Sequence, residues 1–155
     1  NDFFNILRPQ NIEIDGRKFW SYKHGPIELV IMRTRHFPDT AISVDESQWC
    51  SGVFINRRAW ISGDTMFDAD YPIRFSKMAE VMFHDTQLFF GGVHSSYQEL
   101  NTLPDDVKSK MYLYHYGDNW DQPETWAKGA TDFTGEPAKD GFLGWAEQNV
   151  AYDFK

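Results

Sequence analysis

One cysteine in 155 residues, Cys50, rules out an internal disulfide and any cysteine-rich zinc module. It sits in QWCSGVFI and reads as a small buried hydrophobe. No stretch approaches the roughly 20 apolar residues that a membrane helix needs. The chain also opens without a signal-peptide pattern, so the expectation is a cytoplasmic protein with no membrane partner. Positive charge is scarce too: 15 Lys and Arg stand against 23 Asp and Glu, a net charge of −8. That balance argues against a broad electrostatic grip on nucleic acid. The short basic runs Arg33-Thr34-Arg35 and Arg57-Arg58 read as an exposed strand edge and a turn. Serine-hydrolase elbows (G-x-S-x-G), phosphate loops (G-x-x-x-x-G-K-[ST]) and the dense metal motifs H-x-H, H-E-x-x-H and C-x-x-C are all missing.

What is present is an apolar fraction of 41%, with 17% aromatic residues that include thirteen Phe and six Trp. This is enough for one domain over residues 1–155, with large buried surfaces and one face available to a further domain. The first residue is Asn1 rather than Met, so the expectation is an upstream segment that was removed by processing or lies outside this sequence. Alternating Ile12 and Ile14, the Asp15-Gly16 pair and then Phe19, Trp20 and Tyr22 predict a hairpin over 11–24. Strands are expected in PIELVIMRTRHF, WCSGVFIN, AWISG, AEVMFHD and MYLYHYGD, with a turn at Asn56-Arg57-Arg58. Ser95 or Ser96 caps one expected helix, and Pro104 opens another with Asp105 and Asp106 in its first turn. The stretch from Asn119 to Asp140 reads as loop, and GFLGWAEQNVAYDF as a short helix and a final strand. The class expected from this alternation is α/β.

Polar residues gather at the strand ends. Asp64 ends AWIS, His36 follows ELVIMRTR, His84 follows EVMF, and His115 ends MYLY; His24 falls in a Gly-Pro turn and reads as surface. A single imidazole at such a place is more often structural than catalytic. Several at matching positions, with a carboxylate among them, are how an α/β scaffold builds a site. His and Asp suit zinc or manganese, and a carboxylate can bridge two ions.

The ordered series SGDT, FHDTQLF, VHSSYQEL and LYHYGD, running from about Ile27 to Phe154, resembles the second half of a metallo-β-lactamase-fold hydrolase. The branch it resembles holds ribonuclease Z and cyclic-nucleotide phosphodiesterases. The resemblance implies that Asp64 bridges two divalent metal ions, zinc first and manganese next, and that His115 ligates one of them. It implies that catalytic His94 contacts the scissile phosphate, with Ser95 beside it. His84 and Asp85 become supports of the site, and His36 in RHFPD lies near its mouth. It also implies a fold, the C-terminal half of an αββα sandwich. The H-x-H-x-D-H motif of the N-terminal half is absent from this sequence. The expected partner is therefore a separate N-terminal half, covering an apolar sheet face in a heteromer.

The expectation is thus a dinuclear-metal hydrolase, a phosphodiesterase for a nucleotide, cyclic nucleotide or RNA, completed by that second chain. The acidic charge favours a small nucleotide substrate. The alternative is a non-catalytic structural or interaction subunit that keeps the fold.

Overall fold

The computed structural model describes residues 8–14, 16–118, 121–122 and 136–153. They form one mixed sheet of eight strands, β1 Gln10–Ile14, β2 Arg17–His24, β3 Ile27–Thr34, β4 Cys50–Ile55, β5 Ala59–Ile61, β6 Val81–Asp85, β7 Met111–Tyr114 and β8 Gly144–Trp145. Strand order follows the chain, antiparallel from β1 to β5 and parallel from β5 to β8. Three short helices complete the described residues: α1 Asp70–Ser76, α2 Tyr97–Asn101 and α3 Asp105–Lys108.

This corrects the expected half of an αββα sandwich: the architecture is mostly sheet, with few helices. The cause is local. Antiparallel neighbours need only a turn, whereas parallel neighbours need a crossover. The turns at Gly25 and at Asn56-Arg57 supply the first kind, with positive φ of 56° at Gly25, 50° at Asn56 and 54° at Arg57. Only the crossovers around β6 and β7 leave room for helices.

Those helices lie on one sheet face. Phe19, Val30, Met32, Phe54, Trp60, Met82, Met111 and Leu113 project from the strands to meet Phe75, Tyr97, Leu100 and Val107, all of them buried. Each fully buried side chain of this size contributes about 1.5–3 kcal/mol. Ser96 caps α2 with a complete capping box: its hydroxyl accepts from Glu99 N, and the Glu99 carboxylate accepts from Ser96 N. This settles the choice between Ser95 and Ser96.

The stretch after Asp64, for which no element was expected, contains α1, which delivers Phe75 to the core. The helix expected near the C-terminal end is absent from the described residues. Gly141 and Gly144 have φ of 94° and 141° there, and Leu143 N and Ala146 N donate to Met111 O and Leu113 O, so the segment joins β7 as a strand. Asp15 of the expected turn and most of the expected 119–140 loop lie outside the described residues.

Candidate active site

Four titratable side chains converge where β5, β6 and β7 end. Asp64, Asp85, His94 and His115 place one potential ligand atom each within 4.8 Å of all the others. The strand ends are held by backbone contacts that the glycines permit. Gly63 has a φ of 65°, and a Cβ there would stand 2.1 Å from Ser51 O. Only glycine lets β5 turn so close to β4, and that turn puts Asp64 at the sheet edge. Thr34 Oγ1 then fixes the next peptide by donating to Asp64 O at 3.2 Å.

Asp85 is the centre. Its carboxylate is fully buried and accepts three hydrogen bonds: from His94 Nδ1 at 2.7 Å, His115 Nδ1 at 2.8 Å and Thr65 N at 2.9 Å. Its own N–H donates to Ser62 Oγ at 2.8 Å. A buried carboxylate costs stability unless its lone pairs are used, and here they are. His115 Nδ1 also lies 3.6 Å from Asp64 Oδ1, between the two carboxylates. The residue holds a left-handed φ of 64°. For a non-glycine residue this costs about 1–2 kcal/mol, and it breaks the strand alternation so that the imidazole turns back toward Asp85.

The rings pack as well as bond. His94 meets His115 edge-on at a centroid distance of 4.6 Å, and His36 lies 4.8 Å from His94. His36 N donates to Ser47 Oγ at 2.8 Å, while its Nε2 is buried without a hydrogen-bond partner. Tyr114 closes β7 beside the cluster, its hydroxyl 3.4 Å from Ser62 Oγ. Burial raises the Tyr114 phenol most; the Ser62 contact opposes this, and the Asp85 and Asp64 carboxylates raise it further.

The residues singled out from sequence separate into two groups. Asp64, Asp85, His94 and His115 come together, with His36 against them. His84 alternates to the core face, where it is buried, donates Nδ1–H to Asp85 O at 2.7 Å and packs against Trp60. Its burial lowers its affinity for a proton. Ser95 is buried as well, and its hydroxyl donates to Thr65 O at 3.0 Å. It braces the loop that carries Asp64. Sequence reading passed over Ser62, Thr65 and Tyr114. It took Arg33 for an exposed edge, yet the guanidinium donates to Val44 O and Ser47 O and anchors the loop that follows His36. No spacing signal marks these residues; only the closed strand ends bring them together.

A sequence model described as "Anti-Pycsar protein Apyc1" matches residues 1–139. The chain belongs to this family. Among its curated relatives, the anti-Pycsar protein Apyc1 of Bacillus phage BSP38 is 43% identical over 63 residues, which are 40% of this chain and 24% of that protein. The protein of the same name from Paenibacillus harenae is 34% identical over 98 residues, 62% of this chain and 37% of the relative. A third, from Paenibacillus sp. (strain J14), is 28% identical over 96 residues, 60% of this chain and 36% of the relative. The chain therefore aligns with roughly a quarter to rather more than a third of the length of these relatives.

Membership of the anti-Pycsar family corrects the resemblance drawn from the motifs. The family found is not the metallo-β-lactamase hydrolase branch. The dinuclear-metal hydrolase reading, its zinc assignment and the alternative of a structural subunit fall with it. The separate N-terminal partner falls too, because the relatives are single polypeptides that carry further sequence in the same chain. Among the described residues, no helix is long and apolar enough to cross a membrane.

Proposed function

We propose that this chain supplies part of the site through which an anti-Pycsar protein degrades a cyclic nucleotide in the cytoplasm. The observation that carries the proposal is the buried Asp85 carboxylate gripping two imidazoles beside a second, half-exposed carboxylate, Asp64. The relatives are named anti-Pycsar proteins, and an action of that kind is the direction this reading takes. The net charge of −8 supports a small substrate over a nucleic acid.

The residues fit a divalent cation. Two carboxylates and two imidazoles are a common donor set for such ions, and the orphaned His36 Nε2 adds unfulfilled bonding capacity beside it. Asp64 and His115 would hold the ion, which would supply Lewis acidity toward a phosphate oxygen. Asp85 keeps both rings oriented through their Nδ1 atoms, as carboxylate–histidine pairs do in metal sites. With both ring nitrogens protonated, His94 keeps its Nδ1–H on Asp85 and can pass the Nε2 proton to the oxygen that departs as water adds at phosphorus. The left-handed turn at His115 fixes these groups before substrate arrives.

The test is consumption of cyclic nucleotides by the full-length protein, with and without a chelator, and by Asp64→Asn. The reading expects wild-type consumption that the chelator stops and a variant that neither turns over nor retains manganese. Wild-type levels of consumption by Asp64→Asn would refute the role given to the cluster.

A further inference from the structure

Tyr114 is the last residue of β7, one place before His115, and it pairs with Asp85 across the parallel β6–β7 ladder. Its side chain is half-buried, and its ring lies at 25° to that of His115 with centroids 6.4 Å apart. The phenol is thus fixed along the same edge as the cluster. Its hydroxyl contact with Ser62 Oγ, at 3.4 Å, is longer than a good O–H···O bond. Ser62 is already well used: it donates to Gly63 O at 2.7 Å and accepts from Asp85 N at 2.8 Å. The phenolic proton is therefore only weakly engaged within the protein.

We propose that Tyr114 donates a hydrogen bond to a phosphate oxygen of the substrate held at the Asp64–His115 cluster. The proposal rests on the cyclic-nucleotide reading and adds a substrate-contacting residue to it. A cyclic phosphodiester is an anion, and even with a divalent cation bound the Asp64 and Asp85 carboxylates repel it at close range. A donor that is neutral at neutral pH, as tyrosine ordinarily is, offsets that repulsion without being drawn into an ion pair with the carboxylates. An arginine or lysine at the same place would be captured by Asp64. A donor set before substrate arrives also strengthens as charge grows on the phosphate oxygens while the bond to the leaving oxygen breaks. Phenylalanine keeps the ring against His115 and removes only that donor.

The experiment is Tyr114→Phe in the full-length, manganese-loaded protein, with three readouts. Inorganic phosphate is titrated calorimetrically, turnover is measured with cyclic nucleotides, and manganese content and melting are compared with wild type. The expected result is roughly tenfold weaker phosphate binding, the scale of one hydrogen bond to a charged group. Turnover should fall roughly 10²-fold, with manganese content and melting unchanged. Phosphate affinity and turnover both within about twofold of wild type would overturn the proposal. Loss of manganese would overturn it also, by showing that Tyr114 supports the cation and not the substrate. A wild type that binds phosphate through Tyr114 but leaves every cyclic nucleotide intact would refute the functional reading alone.

Discussion

Replacing Asp85 removes the one group on which both imidazoles depend. In Asp85→Ala, Thr65 N loses its acceptor in a buried setting, at about 1–3 kcal/mol for an unsatisfied donor. His94 and His115 lose charge-assisted bonds of 2.7 and 2.8 Å, but their side chains are 21% and 46% exposed and can recover water. Against these losses, the variant no longer buries a carboxylate, which returns part of the desolvation cost. The donors win, because the carboxylate's hydrogen bonds had already offset that cost. The net should be about 2–4 kcal/mol of destabilisation, the Thr65 N–H first and the two rings after it. Asp85→Asn keeps one acceptor and should fall in between. Denaturant melts measure this, and manganese titration should show affinity down about 10–100-fold as the rings lose their orientation. If Asp85→Ala kept both wild-type stability and wild-type manganese affinity, the claim that Asp85 organises the site would be wrong.

Gly63→Ala should cost about 2–4 kcal/mol, because its Cβ would meet Ser51 O at 2.1 Å in a left-handed backbone; the displaced Asp64 should lower manganese uptake in the same preparation. Ser96→Ala should lose about 1 kcal/mol by breaking the capping box, read in denaturant melts, with manganese uptake unchanged. Burial, then the 2.6 Å hydrogen bond to Asp140, keeps the Tyr97 phenol protonated above its ordinary range. The unfolded chain releases that proton near pH 10 and the folded chain only at higher pH. The stability so conferred is complete below about pH 10 and declines as pH rises beyond it. Alkaline melts of wild type and Tyr97→Phe should therefore converge as pH climbs; parallel curves would remove Tyr97 from the account.

The hairpins were legible because turn chemistry and strand alternation agree at Gly16 and at Asn56-Arg57. Helix α2 was legible through a serine cap at Ser95 or Ser96; the Glu99 that completes the capping box with Ser96 emerged only in the structure. Helix α1 was missed although Asp70 and Pro72 in its first turn signal a start, since the run is short and follows a polar stretch. The terminal helix was expected from composition, but two glycines in left-handed backbone and the free edge of β7 drew that segment into the sheet. At the site, strand-end position points to Asp64 and His115, whereas His94 lies in the loop between β6 and α2 and was singled out only through the family resemblance. Strand-end position could not separate His84 from Asp85, adjacent residues that β6 sends to opposite faces. The braces Ser62, Thr65 and Ser95 act through hydrogen bonds between distant segments, which no local pattern encodes.

The proposed function assigns the two imidazoles bound to Asp85 different roles, His115 on the cation and His94 on the substrate. The most direct test is the manganese content and turnover of full-length His94→Ala measured on one preparation. The account predicts wild-type manganese content with turnover lowered roughly 10²–10⁴-fold, the usual worth of a proton donor. Lost manganese, or turnover equal to wild type, would contradict it.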